Sequence, residues 1–170
     1  MTKLNIKHFN YGVKLKMLIN IIFGFIIPWV LASFMVRKQP ILFIVISPVT
    51  IVISLLINTI GIYFGFWNFK PYFEKIETIS ALPFDFGLYA VLGSLLIYTL
   101  SKRPFRLHPV IIILIFSIIT TVLEYMAFLF GFLTYGNGWN IGWTFISYSI
   151  AYLCVTTAWI IAKVHIKVVK

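Results

Sequence analysis

Two carboxylates stand where carboxylates are expensive. Glu124 interrupts VIIILIFSIITTVLEYMAFLFG, an apolar run long enough to cross a bilayer. Asp85 opens a second apolar block, two positions after Pro83. A carboxylate in hydrocarbon requires a partner, a proton or a cation. Two of them brought together serve proton transfer, cation binding or acid–base catalysis. Asn58, Thr144 and Tyr148 are the polar side chains in other apolar blocks that could join them, so the candidate polar cluster is Asn58, Asp85, Glu124, Thr144 and Tyr148. No H-E-x-x-H occurs and no histidine accompanies the acids, so no zinc site is expected. No Gly-rich phosphate loop and no Ser–His pair is present, and no cofactor or catalytic residue is assigned.

The composition requires a membrane. Hydrophobic residues are 61% of the chain, against roughly 45–50% in soluble domains. Charged residues are 11%, against roughly 25%, and a soluble core of 170 residues has too little interior to absorb the difference. The net charge of +10 comes from bases clustered beside apolar blocks, which suits anionic headgroups and excludes nucleic acid as a partner. Cys154, the single cysteine, forms no intramolecular disulfide and reads as a small buried hydrophobe.

The elements that must position the polar residues are helices. Residues 1–16 form a basic tail or a short interfacial helix, with Gly12 and the mixed spacing favouring the tail. The first apolar block is 17–36, with Pro28 expected to kink it. The second, 41–66, repeats Ser47, Thr50, Ser54, Asn58, Gly61 and Gly65 on one helical face, which predicts close helix packing. The linker 67–81 carries Trp67, Phe69, Tyr72 and Phe73 as an interfacial belt, and Glu74 and Glu77 are expected in water. The third block is 82–100 and the fourth about 109–131. FLTYGNGWN then reads as a tight turn before the fifth block at about 142–162. His108 reads as an interfacial residue at a helix entrance. No internal repeat stands out. The predicted fold class is an all-α integral membrane protein, a single domain over 1–170 with about five transmembrane helices. The alternative has four spans plus a re-entrant or interfacial first helix.

Charge sets an orientation. With the 37–40 link, the 101–108 loop and the C-terminal tail in the cytoplasm, Arg37, Lys38, Lys102, Arg103, Arg106, Lys163, Lys167 and Lys170 all lie inside. The first block breaks this pattern: with five spans the N-terminus is outside, and Lys3, Lys7, Lys14 and Lys16 with it, whereas a bent first block would keep them inside. At ~1.5 Å per residue, Glu124 then sits roughly 10 Å below the outer end of its helix, and Asn58, Asp85, Thr144 and Tyr148 arrive within a similar depth. That convergence predicts either an interhelical hydrogen-bond knot or a polar cavity.

LPFDFGLYAVLGSLLIYTL and SIITTVLEYMAFLFGFLTYGNGWNIGWTF resemble a family of small multi-spanning membrane proteins of spore-forming Firmicutes. The matching positions are Pro83, Asp85, Glu124, Tyr135 and Gly138-Trp139, and the resemblance extends over about 15–165. It implies a bacterial inner-membrane location and brings no activity with it. Similar members carry more charges around the turn; TYGNGWN has none, which weakens a role for that loop in binding a charged partner.

The functional expectation is a structural or accessory membrane protein that binds lipid, a second copy or another membrane protein. The alternatives are small-solute or ion transport through an oligomer, and a lipid-modifying enzyme using Asp85 and Glu124.

Overall fold

A computed structural model describes residues 3–71, 73, 77–102 and 106–168. Expectations about Tyr72, Glu74, Arg103 and Lys170, and about the side chains of Lys3, Lys7, Glu77 and Lys167, lie outside what it describes. Five helical segments are long and apolar enough to span a membrane: Gly12–Lys38, Pro40–Tyr63, Phe84–Lys102, Pro109–Leu129 and Ile141–Lys163. Isoleucines and leucines such as Leu31, Ile44, Ile60, Ile118 and Leu129 point outward, while Ser47, Thr50, Asn58, Ser94, Ser117 and Thr120 are buried. That inversion is what lipid demands, because polar groups must find partners inside the bundle.

The first span is one continuous helical path. α1 (Lys3–Ile21) runs into a π-helical segment, Ile22–Ile26, and on into α2 (Ile27–Lys38). The re-entrant alternative is therefore set aside. The basic tail is corrected too: helix begins at Lys3 and passes through Gly12, whose missing side chain faces open space. Pro28 lacks the N–H that an α-helix interior needs, and the wide turn just before it, where the Ile27 amide reaches back to the Ile22 carbonyl, absorbs the defect.

α3 (Pro40–Tyr63) packs on α4 (Ala90–Lys102) along the small-residue face expected for it. Ser47 and Ser94 hydroxyls meet at 3.0 Å, and a Cβ on Gly93 would stand 2.5 Å from the Thr50 methyl. A second π segment, Phe84–Tyr89, leads into α4. It crosses the first π segment at two glycines so closely that a Cβ on Gly87 would lie 2.0 Å from the Gly24 carbonyl oxygen. α5 (Pro109–Leu129) starts from His108, whose Nδ1 accepts the Val110 amide at 3.4 Å, so this histidine caps a helix entrance as its position suggested. α6 (Ile141–Val168) completes the bundle against α5 and α3. Cys154 is exposed on α6 and so faces lipid, a correction of the buried reading.

One end of the bundle is closed by a short antiparallel ribbon, β1 (Trp67–Phe69) with β2 (Leu133–Tyr135). The turn expected over FLTYGNGWN is confined to Gly136–Trp139, with Asn137 and Gly138 at positive φ. Trp67 and Phe69, expected in an interfacial belt, are instead buried. Trp67 lies over Gly61, where a Cβ would come within 2.1 Å of the indole. Asn20 of α1 ties the same end down by donating to the Lys70 and Ser80 carbonyls at 2.8 and 3.2 Å.

The ribbon exposes an internal repeat. Asn58-x-x-Gly61-x-x-Phe64-Gly65-Phe66 ends α3, and Glu124-x-x-Ala127-x-x-Phe130-Gly131-Phe132 ends α5. Both helices stop in the same way. Phe64 and Phe130 amides bond the Ile60 and Met126 carbonyls at 3.0 Å, and Phe66 and Phe132 bond those of Gly61 and Ala127 at 2.8 and 2.9 Å. Gly65 and Gly131 take φ of 66° and 73°, the left-handed conformation that ends helices at glycine. The following helices then match as Asp85-Phe86-x-x-Tyr89 and Thr144-Phe145-x-x-Tyr148. The segments α3–β1–α4 and α5–β2–α6 follow the same element order and meet at matching positions. Asn68 pairs with Thr134 at the centre of the ribbon, and the matching Tyr89 and Tyr148 hydroxyls meet at 2.9 Å. The expectation of no repeat is thereby corrected. The first span docks on one half only, because the counterpart of Gly87 is Ile146, whose side chain closes the notch and faces outward.

Replacing Gly131 with Ala isolates the cost of the left-handed cap, since a Cβ there meets nothing. A loss of about 1 kcal/mol is expected from chemical unfolding. Gly65→Ala should cost more, because its Cβ would also meet the Asn137 amide nitrogen at 2.8 Å.

Candidate functional site

The five candidate residues arrive at the ribbon end in two hydrogen-bonded groups at equivalent places in the two repeats. In the first repeat, Asn58 Nδ2 donates to Asp85 Oδ1 at 2.7 Å, and Asn58 Oδ1 accepts the Trp67 indole N–H at 3.0 Å. Asp85 is 1% exposed and Asn58 6%. Asn58 spans between a carboxyl and an indole, which uses both ends of the amide.

In the second repeat, Glu124 takes the place of Asn58, and Thr144 that of Asp85. Glu124 Oε1 accepts the Tyr135 hydroxyl at 2.7 Å and the Thr144 hydroxyl at 3.1 Å, while Oε2 accepts the Tyr148 hydroxyl. Further donors stand behind these. Trp139 Nε1 donates to Thr144 Oγ1 at 2.9 Å, and Tyr89 donates to Tyr148, whose own O–H points to Glu124. Tyr135 lies in the ribbon. Burial, then the neighbouring Glu124 charge, pushes its phenol up, so it stays a donor.

The knot and the cavity anticipated as alternatives are both present, one forming the wall of the other. Between α3 and α6 lies a narrow, partly open cavity. Ser54, Ile57 and Asn58 line it from α3, and Thr144, Ser147, Tyr148 and Ala151 from α6. Tyr89 and Glu124 reach it from α4's leading turn and α5, and Trp67 and Trp139 from the ribbon end. Its rim runs along the half-buried edges of α3 and α6. Among the described residues, no lysine, arginine or histidine lines it. Asp85 stands behind Asn58 rather than on the wall, so the two carboxyl groups have separate partners and do not form a hydrogen-bonded pair. Towards the end opposite the ribbon, α4 and α5 pack through Leu96, Ile112 and Ile113. Among the described residues, no group of three or more His, Cys, Asp or Glu side chains could hold a metal ion.

Tyr89, Tyr135, Trp67, Trp139 and Tyr152 are site residues that the sequence reading left outside the cluster. The F-x-x-Y match after Asp85 and Thr144 was the available signal for Tyr89. Tyr135 depends on the ribbon pairing, which no local pattern announces.

Fold and site define a multi-span helical membrane protein with an internal cavity enclosed by two repeats. Comparison with protein families, characterised proteins and solved structures returned no match.

Proposed function

We propose that the chain is an accessory membrane protein that takes a lipid or another amphipathic small molecule into the cavity between α3 and α6. The observation that carries this reading is the cavity's construction: an apolar lining, a polar end at Glu124 and Tyr148, and a rim between two spans where a molecule in the bilayer can enter. The orientation proposed with it follows the charges. Arg37, Lys38, Lys102, Arg106 and Lys163 lie at the end opposite the ribbon, which would face the cytoplasm and its anionic headgroups, with the cavity toward the other leaflet.

A second reading, small-solute transport, is favoured by the repeat. Parallel halves related by an axis along the membrane normal are one way transporters place a site between moving parts. Here two halves within one chain stand in for an oligomer. Catalysis on lipid has less support, because Asp85 and Glu124 are held in separate networks.

Ala151→Trp tests both readings by filling the cavity from α6. Small molecules and lipids that accompany the purified wild-type protein, identified by mass spectrometry, should drop at least about tenfold in the variant, in line with steric exclusion from a formed pocket. Any solute flux in reconstituted vesicles should fall with them. An unchanged set of bound molecules would sink the cavity as the functional site.

A further inference from the structure

We propose that the cavity is selective for organic cations: a quaternary or tertiary ammonium carrying an apolar group. The inference rests on the cavity reading and names its ligand class. Two properties of the wall point there.

The wall's polar groups are mostly engaged already, the Ser147 hydroxyl being the one left for a ligand among the described lining residues. Asn58 is bonded at both ends, and the Trp67 and Trp139 N–H groups are both donated. Tyr89 donates to Tyr148, and the Tyr152 hydroxyl meets Thr120 at 2.5 Å. The oxygens of Glu124 take three hydroxyls. A ligand that must form several directional hydrogen bonds would have to break this network, and each hydroxyl or amide left unpaired in a buried site is costly. A ligand that asks for no hydrogen bond leaves it intact.

What the wall still offers is negative field and aromatic surface. The hydroxyl donors to Glu124 are neutral, so they supply no counter-charge, and among the described residues no basic side chain lines the cavity to supply one; a cation entering it would be that counter-charge and hold Glu124 as the carboxylate. Trp67, Trp139, Tyr89, Tyr148 and Tyr152 surround the same space, with the two indoles 4.7 Å apart between centroids. Aromatic rings around a carboxylate attract a weakly hydrated organic cation, which gains from ring and charge together without a hydrogen bond of its own. An anion is repelled by the same carboxylate. A small metal cation would have to shed its water for oxygens that are already engaged.

The experiment compares benzyltrimethylammonium with neopentylbenzene, its neutral carbon isostere, by equilibrium binding to the full chain in detergent. The wild-type protein should bind the cation at least about tenfold more tightly, a preference of the size that ring and charge contacts supply in a desolvated site. Glu124→Gln, checked for a monodisperse folded state, should bring the ratio close to one by weakening only the cation. Ala151→Trp should abolish both. Equal binding of the two probes to the wild-type protein, or tighter binding of the isostere, would overturn the cation assignment and leave the cavity reading standing. A preference that survives in folded Glu124→Gln would overturn the role given to that carboxylate. Binding of neither probe would overturn the cation site and the cavity reading together.

Discussion

Gly87→Ala should separate the first span from the rest of the bundle. The added Cβ would fall 2.0 Å from the Gly24 carbonyl oxygen and 2.4 Å from the Phe25 Cα. Both are backbone atoms of the first π segment, so no rotamer change relieves the overlap. Overpacking a core typically costs about 1–3 kcal/mol, and a clash with backbone belongs at the upper end or beyond it. Lipid offers no hydrophobic force to hold displaced helices together, since association there depends on close packing. The expected result is a fall in thermal unfolding midpoint of several degrees, corresponding to about 3 kcal/mol. Cross-linking between cysteines placed on the first span and on α4 should be lost with it. Trp29 provides an internal control: its indole donates to the Phe86 carbonyl at 3.0 Å, and that bond should break when the crossing opens. Gly93→Ala, which meets only the Thr50 side chain, should be milder. A Gly87→Ala protein with wild-type midpoint and intact cross-linking would show that the glycine crossing does not hold the span.

The second large effect is expected at Glu124. Alanine there would leave the Tyr135, Thr144 and Tyr148 hydroxyls facing an empty space. Unpaired buried donors cost about 1–3 kcal/mol each before any rearrangement, and the lost side-chain volume adds to this. A total loss of about 3–5 kcal/mol is expected, because some hydroxyls will turn to new partners such as Tyr89 or cavity water. Glutamine keeps the shape and an acceptor oxygen, and hydroxyls both donate and accept. Glu124→Gln should therefore stay within about 1 kcal/mol of wild type. The contrast is read from unfolding midpoints and from yield of folded protein. Equal stability of the Ala and Gln variants would remove Glu124 from the structural core of the site. The two substitutions thus separate its roles: alanine removes the scaffold, whereas glutamine removes only the charge.

Much of this was legible along the chain. Apolar runs near 20 residues broken by turns mark spans, because the bilayer's thickness sets a length that composition must meet. The small-residue face from Ser47 to Gly61 could be read from helical spacing, and it packs as read. The depth of Asn58, Asp85, Glu124, Thr144 and Tyr148 followed from counting residues from the span ends. Other features were written in the sequence yet too faint to notice. The repeat consists of a few letters, Phe-Gly-Phe and F-x-x-Y, separated by loops of unequal length. Gly24 and Gly87 carry no mark that distinguishes them from glycines that only bend a helix.

The chain's residue order was sufficient for a five-span membrane bundle with acids buried near one end, since hydropathy and helical rise are local properties. Tertiary structure alone decided which side chains meet. It split the acids into two networks, put Tyr135 on Glu124 through a ribbon joining distant segments, and left a crevice between α3 and α6. The reason is physical: partner choice depends on rotation of each helix about its axis and on how closely two backbones approach. Both are set by contacts between residues far apart in sequence, as the crossing of Gly24 and Gly87 shows.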